Sequence, residues 1–244
     1  MIERTLSLNT NEGEMPTFIV HPEEGGPHPV VILYMDAPGI REELRDFARR
    51  VASVGYYTLL PNLFYRDGGP SFPPADRRTP EQTRQMNVLL EGLTNARLIS
   101  DTRTLLMQID GDPAARKGPL GCIGYCMSGR YVLTMAGTFP ERFQACVAMH
   151  GVRMATPHPD SPHKLIPKLR GEHYWGFAEV DEHVPQAEVD LLKQAVAAAK
   201  APVRIEIHPG TGHGFVFPDR KPFHKAQAER YWEHSFALFR RILG

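Results

Sequence analysis

The chain has 244 residues, and 28 basic and 28 acidic side chains give it a formal net charge of zero. This balance excludes the strongly basic surface that nucleic acid or an acidic membrane attracts, so we expect a small-molecule partner. Charges at Glu3 and Arg4 interrupt the apolar core that a signal peptide needs, and no apolar run reaches membrane-spanning length, which predicts a cytoplasmic protein.

The first predicted elements are a hairpin, two buried strands and a helix between them. Residues 5–8 and 17–20 alternate in polarity around a polar segment, which predicts an antiparallel hairpin at the edge of a sheet. Residues 30–35 form a continuous apolar run, typical of a strand covered on both faces. Residues 42–54 carry apolar side chains at helical spacing, and residues 56–60 predict the next strand.

The rest of the chain continues the alternation of helices and strands. Glycine and proline predict loops at 67–80 and 154–169. The other predicted helices cover 81–109, 127–137, 186–200 and 223–242, and the other predicted strands cover 120–123, 143–149, 174–178 and 203–207. This order predicts one α/β domain over residues 1–244, with a mostly parallel sheet and helices on both of its faces.

The strongest chemical signal is Cys126, which lies in the sequence Gly-Tyr-Cys-Met-Ser-Gly at 124–129. It falls between a predicted strand and a predicted helix, where a tight turn holds a nucleophile above the sheet edge and the helix dipole favours a thiolate. The alternative is a buried structural thiol, and the pattern is displaced because Ser128 stands where such an elbow has its second glycine. Cys122 and Cys146 are expected to be small, buried strand residues with free thiols.

Two further residues follow predicted strands, at the sheet edge where functional groups of parallel sheets collect. They are Asp181 and His213, and the chain order nucleophile, acid, histidine is that of α/β-hydrolases. Asp181 is alternatively a helix N-cap, with Glu179, Glu182 or His183 as possible substitutes in the acid role. His213 is framed by glycines that let it reach the sheet edge, although a surface-loop histidine is the alternative.

These residues predict nucleophilic attack on a carbonyl. His213 would take the proton of the Cys126 thiol and return it to the leaving group, while Asp181 would fix the imidazole tautomer. The acyl-cysteine intermediate would be a thioester that water hydrolyses. The backbone N–H groups of Met127 and Ala37 are predicted to bind the developing oxyanion.

The pattern as a whole resembles the dienelactone hydrolase family, cysteine-dependent members of the α/β-hydrolase fold. The resemblance covers nearly the whole chain, and it implies hydrolysis of a lactone or ester by Cys126, Asp181 and His213 without a metal or organic cofactor. It rests on Gly-Tyr-Cys-Met at 124–127, Asp181-x-x-Val184-Pro185, Gly-His-Gly-Phe at 212–215, and Gly-Tyr-Tyr at 55–57 leading to Pro-Asn-Leu-Phe at 61–64.

The chain departs from this family at two positions. The family has a glutamate after the first central strand that contacts the thiol and takes part in its activation; here Asp36, one methylene shorter, would either activate the thiol or cap the next helix. The family enzyme that opens dienelactone also has an arginine four residues after the catalytic histidine, which holds the substrate carboxylate, and Phe217 occupies that place here. Loop arginines are the alternative source of that charge: Arg66, Arg77, Arg78, Arg84 and Arg153.

Aromatic side chains near the predicted strand ends are candidate substrate contacts. They are Tyr34, Phe64, Tyr65, His150 and Phe217, and for His150 a loop histidine is the alternative. The expected partner is a small ester or lactone, with no nucleic acid and no membrane, and the expected assembly is a monomer or a homodimer.

Three rival functions remain open from the sequence. A metal hydrolase would use the histidine pairs at 158 and 163 or at 208 and 213, but both pairs lie in loops rather than on one helix face. A serine hydrolase would use Ser128, two residues past the elbow apex. A relative with the same fold would either bind a ligand without catalysis or act as a general esterase or thioesterase on another acyl group.

Overall fold

The computed structural model describes all 244 residues and contains two units, residues 1–118 and 119–244. In the first unit the elements are β1 (Ile2–Thr10), β2 (Gly13–His21), β3 (Val30–Tyr34), α1 (Glu42–Ala52), β4 (Tyr57–Pro61), α2 (Pro80–Gly92) and α3 (Asn95–Gly111). In the second unit they are β5 (Leu120–Tyr125), α4 (Gly129–Thr138), β6 (Phe143–Met149), β7 (Glu172–Val180), α5 (Gln186–Ala199), β8 (Val203–Gly212) and α6 (Lys225–Leu243). The single domain over residues 1–244 stays a prediction.

The strands of the first unit lie in the order β1, β2, β4, β3. β1 and β2 form the predicted antiparallel hairpin, with Ile2 opposite His21, and β1 lies at its outer edge. β2 is antiparallel to β4, whereas β3 and β4 are parallel. Every residue of β3 and β4 is buried, which explains why their sequences are apolar without alternation.

The strands of the second unit are all parallel and lie in the order β5, β6, β7, β8. Their carboxyl ends therefore meet at one edge, and the segments after β5, β6, β7 and β8 begin with Cys126, His150, Asp181 and His213. This parallel arrangement brings residues that are far apart in the chain to a common site.

One predicted helix was wrong in its extent. Residues 81–109 form two helices, because Thr94 interrupts the first and caps the second by accepting a hydrogen bond from the Arg97 N–H at 3.2 Å. The first of these, α2, begins with a capping box in which Thr79 and Gln82 bond each other's backbone N–H groups. The loop predicted at 67–80 contains only short 3₁₀ turns at Tyr65–Asp67 and Ala75–Arg77.

The other predicted elements are confirmed, with ends that move by a few residues. The largest change is in β8, which continues past the predicted end at 207 to Gly212 after an irregularity in its register with β7. The loop predicted at 154–169 contains a 3₁₀ helix at Pro162–Lys168. No helix is both long and apolar enough to cross a membrane.

Candidate active site

Cys126 lies in a tight turn between β5 and α4, as predicted. Its φ is +51°, in the left-handed region that residues other than glycine rarely adopt. Its side chain remains partly exposed. Residues Cys126–Ser128 form a 3₁₀ turn, and the Cys126 carbonyl accepts a hydrogen bond from the Val152 N–H at 2.9 Å. The turn therefore fixes the cysteine in a strained but well-supported position.

Two glycines make this turn possible. A Cβ on Gly124 would lie 2.6 Å from the Ser128 carbonyl oxygen, and a Cβ on Gly129 would lie 2.3 Å from the Cα of Gly151. Both distances are shorter than side-chain carbons tolerate, so any other residue at these positions would push backbone apart. The displaced spacing in the sequence is thus compatible with an elbow, because the glycine that lets two backbone segments approach closely is Gly129 rather than residue 128.

Asp181 and His213 form a direct hydrogen-bonded pair. The Nδ1 of His213 lies 2.9 and 2.8 Å from the two carboxylate oxygens of Asp181, and both side chains are at most 10% exposed. Asp181 also accepts hydrogen bonds from the N–H groups of His183 and Val184, at 2.9 and 3.2 Å, which orient the carboxylate. The N-cap interpretation of Asp181 is wrong, since α5 begins at Gln186 with Pro185 before it.

The electrostatics link His213 to the elbow cysteine. Burial lowers the pKa of His213, but the charge of Cys126 and the interactions with Asp181 and Cys126 outweigh it and raise the pKa to about 10. The Nε2 atom is buried and makes no hydrogen bond of ordinary length and angle. Cys126 therefore affects the pKa of His213 although no hydrogen bond of ordinary geometry joins the two side chains.

Two more histidines pack edge-on against His213. The ring centroid of His150 lies 4.7 Å from that of His213, and the ring centroid of His183 lies 4.6 Å from it. Burial lowers the pKa of both neighbours, and the positive charge of His213 lowers it further. His213 is thus an imidazolium held between two neutral imidazoles.

His150 is the more unusual of these neighbours. It is fully buried among Tyr125, Phe215 and Phe217, and neither ring nitrogen has a hydrogen-bond partner. Its φ is +40°, and its backbone N–H donates to the Gly176 carbonyl at 2.7 Å. An orphaned, buried imidazole in a strained conformation is energetically costly, so this residue calls for a functional explanation.

Asp36 and Ala37 lie in the turn directly after β3, in the first unit. This turn is closed by a hydrogen bond from the Gly39 N–H to the Asp36 carbonyl at 3.0 Å. The Asp36 carboxylate is fully buried and accepts hydrogen bonds from the Arg41 guanidinium at 2.6 and 3.4 Å. Arg41, rather than Asp36, is the N-cap residue of α1, so the capping role proposed for Asp36 is wrong.

The remaining predicted substrate contacts are all buried in the substrate-free structure. In the first unit, the Tyr34 hydroxyl lies 3.1 Å from that of Thr102. The Tyr65 hydroxyl donates to Asp101 at 2.9 Å, and burial raises the pKa of Tyr65 to about 12. In the second unit, Phe217 packs 4.0 Å beneath the Arg220 guanidinium.

The sequence did not reveal which side chains surround His213. The ring of His183 packs against His213, whereas the sequence indicates this residue only as a substitute for Asp181. Its position two residues after Asp181, in a turn that Asp181 closes, was the available signal. Arg41 as the partner of Asp36 could have been suspected from its place five residues later, at the start of a helix.

The histidines of the rival metal site have other partners. His208 contacts the Tyr174 hydroxyl and the Gln227 amide oxygen, each at 2.9 Å, and His163 contacts the Ser161 hydroxyl at 2.7 Å. No group of three or more histidine, cysteine, aspartate or glutamate side chains is arranged to hold a metal ion. Cys122 and Cys146 are free, buried and directly paired across β5 and β6.

Comparison with known proteins identifies the family of this chain. The model of the dienelactone hydrolase family matches residues 15–243. A protein of Escherichia coli O157:H7 named "Putative carboxymethylenebutenolidase" is 28% identical over 98% of this chain and 86% of its own length. A carboxymethylenebutenolidase of Rhodococcus opacus is 24% identical over 98% of this chain and 92% of its own.

Solved structures give the same result. The crystal structure titled "Putative Dienelactone Hydrolase" from Klebsiella pneumoniae superposes with a TM-score of 0.85 and 25% identity, covering 98% of each chain. The predicted α/β-hydrolase fold is therefore confirmed, with its parallel strands and its N-terminal antiparallel hairpin. The chain belongs to the dienelactone hydrolase family and is a hydrolase of that type.

Proposed function

We propose that this enzyme hydrolyses a small lactone or carboxylic ester through an acyl-cysteine intermediate. The observation that carries the proposal is the pairing of His213 with both carboxylate oxygens of Asp181, together with the raised pKa of His213 caused in part by Cys126. An imidazolium beside a cysteine at the apex of a strained turn favours the thiolate, which is the nucleophilic form.

In the first half-reaction the Cys126 sulfur attacks the substrate carbonyl carbon and a tetrahedral oxyanion forms. The carbon–oxygen bond to the leaving group then breaks, and the imidazolium of His213 gives its Nε2 proton to the departing oxygen. In the second half-reaction His213 takes a proton from water as the water attacks the thioester. Collapse of that intermediate releases the carboxylic acid and restores the thiolate and the imidazolium.

Backbone donors would stabilise the oxyanion in both steps. The Met127 N–H follows the nucleophile at the start of the helix, where unpaired N–H groups and the helix dipole favour negative charge. We propose the Ala37 N–H as the second donor and Asp36 as the acid that takes part in activating Cys126. The buried pairing of Asp36 with Arg41 supports an ionised carboxylate at that position.

The acyl group of the substrate is less constrained. Phe217 is fully buried in an aromatic cluster with Tyr125 and His150, which supports an uncharged or only partly polar group on this side of the site. We keep Tyr34, Phe64, Tyr65, His150 and Phe217 as proposed substrate contacts. All five are enclosed without substrate, so any contact requires the substrate to displace neighbouring side chains.

The test compares p-nitrophenyl esters, small lactones and dienelactone as substrates of the wild type and of Cys126→Ala. We expect kcat/KM to fall more than about a thousandfold in Cys126→Ala, because the nucleophile is lost. Ser128→Ala serves as the matched control from the same turn and should stay within about tenfold of the wild type. A larger loss in Ser128→Ala than in Cys126→Ala would favour the serine mechanism.

Thiol labelling provides a second test that does not need the correct substrate. Iodoacetamide should modify Cys126 first, since it is partly exposed while Cys122 and Cys146 are fully buried. The labelled residue is identified by mass spectrometry of peptides. Rapid labelling without turnover of any ester would favour the non-catalytic alternative, and turnover of thioesters alone would favour the thioesterase alternative.

A further inference from the structure

The outer edge of β8 presents an unusual feature outside the active site. β8 is the last strand in the sheet order, so it pairs with β7 on one side only. An unpaired edge of this length is a template for another strand, which proteins usually cover or interrupt. Pro209 interrupts only its far end, so residues 203–207 remain a regular edge.

The backbone bonding of β8 shows which groups face outward. The Pro202 carbonyl accepts a hydrogen bond from the His173 N–H of β7 at 2.9 Å. Successive residues of a strand point their N–H and C=O groups to opposite sides, so Arg204 and Glu206 also bond toward β7. The N–H and C=O groups of Ile205 and Ile207 therefore point away from the sheet.

The side chains along this edge are self-complementary. Residues 203–207 read Val-Arg-Ile-Glu-Ile, a sequence in which the residue types mirror each other around Ile205. We propose that a second copy of this chain pairs antiparallel with β8 about a twofold axis at Ile205, which makes the protein a homodimer. Each Arg204 then lies opposite the partner's Glu206, and each Val203 lies opposite the partner's Ile207.

Hydrogen bonding and charge select the same register. With the axis at Ile205, this outward-facing residue lies opposite the same residue of the second copy. The two copies then exchange backbone hydrogen bonds at Ile205 and at the two Val203–Ile207 pairs. An axis at Arg204 or Glu206 would instead oppose like charges, which is destabilising. Because the interface is isologous, each favourable Arg–Glu contact occurs twice.

The surroundings of β8 are compatible with this contact. Arg204 is 54% exposed, and within its own chain it bonds Glu206 at 2.9 Å, so a short side-chain movement reaches a partner carboxylate. Glu206 also contacts Arg230 and His234 of α6, which hold its carboxylate at this edge of the sheet. On the other face Ile207 is 36% exposed, and a paired strand would cover it.

The first test measures the mass of the full-length protein in solution by analytical ultracentrifugation at micromolar concentration. We expect twice the chain mass of 27.4 kDa for the wild type and the single-chain mass for Ile205→Pro. Proline at this position removes only an outward N–H group, so the bonding to β7 is retained. Circular dichroism and thermal unfolding verify that the variant is folded.

Charge provides an independent second variant. Arg204→Glu places two like-charge contacts in the interface, so the dimer dissociation constant should rise at least about tenfold. The matched control is Lys193→Glu, a charge reversal at an exposed position of α5, which should leave the mass unchanged. A dimer that persists in both Ile205→Pro and Arg204→Glu would overturn the proposal, as would a monomeric wild type.

Thiol cross-linking tests the register itself. In a Cys126→Ala background, where the remaining thiols are buried, Ile205→Cys should give a covalent dimer with a short bis-maleimide. Val88→Cys, at a position of α2 that is 68% exposed, is the control and should remain a single chain. Equal cross-linking of both variants would contradict pairing at Ile205. None of these measurements depends on the proposed hydrolytic activity.

Discussion

Cys126 has an unfavourable backbone conformation and His213 a buried charge, and the surrounding structure stabilises both. The left-handed backbone of Cys126 costs about 1 kcal/mol or more, and it is held by the turn, by Gly124 and by Gly129. A buried imidazolium is also unfavourable, yet Asp181 and the charge on Cys126 stabilise it. The two residues are coupled, because the turn places the Cys126 sulfur where its charge stabilises the imidazolium of His213.

The titration of His213 tests this mutual dependence. In the wild type we expect the His213 imidazole to titrate near pH 10. NMR of the ring signals in protein with labelled histidine measures this titration. In Cys126→Ala the pKa should fall toward its ordinary value of about 6.5, since the largest stabilising charge is removed. Asp181→Asn is the companion variant and should also lower the pKa.

An unchanged pKa in Cys126→Ala would contradict the coupling between the two side chains. A lower pKa in Asp181→Asn alone would then assign the stabilisation to the carboxylate. Cys146→Ala is the control, because this thiol is fully buried on β6 and has no part in the proposed pair.

His150 makes the second prediction at this scale. His150→Phe keeps the ring and removes two unpartnered nitrogens, so the free energy of unfolding should stay the same or rise by about 1 kcal/mol. His150→Ala instead opens a cavity and should cost about 3 kcal/mol. Urea unfolding measures both. A loss of stability in His150→Phe as large as that in His150→Ala would indicate that the nitrogens have partners in solution.

At the scale of elements, the strands were more predictable than the helices. Each apolar run ended at a polar residue, a glycine or a proline, and β6 was predicted with its observed bounds because buried parallel strands are nearly continuous apolar runs. The break between α2 and α3 escaped prediction, since Thr94 supports either a continuous helix or a new N-cap. Tertiary packing decides between these two local solutions.

The same contrast holds for the site. Cys126, Asp181 and His213 were predictable because turn-forming residues and strand ends are local features of the sequence. The spacing places His183 near Asp181 and Arg41 near Asp36, but the edge-on rings of His150 and His183 and the bonding of Asp36 to Arg41 also depend on side-chain directions, which spacing alone does not fix. The sequence therefore predicts the candidate residues and their places after the strands, whereas the raised pKa of His213 depends on the folded surroundings.

The turn after β5 gives a prediction at the element scale. Gly129→Ala should destabilise the protein by about 2 kcal/mol or more and reduce activity, because the new Cβ would lie 2.3 Å from the Cα of Gly151. Gly111→Ala is the matched control at the end of α3, where a Cβ meets no atom within 4 Å. The control should be neutral or stabilising by up to about 1 kcal/mol.

Thermal unfolding and ester hydrolysis are measured for both glycine variants. Wild-type activity in Gly129→Ala would show that α4 can shift away from the Gly151 backbone without moving Cys126. That result would contradict the view that close packing at Gly129 fixes the nucleophile.

At the scale of the whole molecule, titratable groups give stability a maximum near neutral pH. Burial lowers the pKa of His150 and His208, so their contribution is present above about pH 6.5 and is lost as the pH falls. Asp112, whose lowered pKa reflects bonds from Tyr57 and Arg4 that outweigh burial, loses its contribution when the pH falls below about 4.

Above neutral pH, the change in the free energy of unfolding depends mainly on His213. Its folded pKa of about 10 lies above the unfolded value of about 6.5, so its contribution is complete below pH 6.5 and is lost as the pH rises through 10. Because the proposed folded state holds Cys126 as a thiolate whereas the unfolded chain keeps a thiol up to about pH 8.5, the slope should reach about 1.4 kcal/mol per pH unit only between about pH 8.5 and 10. Urea unfolding at a series of pH values measures it, and an identical alkaline slope in His213→Gln would contradict this assignment.

The burial of Cys122 and Cys146 on paired strands leaves Cys126 as the one thiol of the folded chain that solvent can reach. A thiol reagent added in excess should therefore modify one equivalent per folded chain. Unfolding raises the count to three, so the same reagent also reports the loss of the native state.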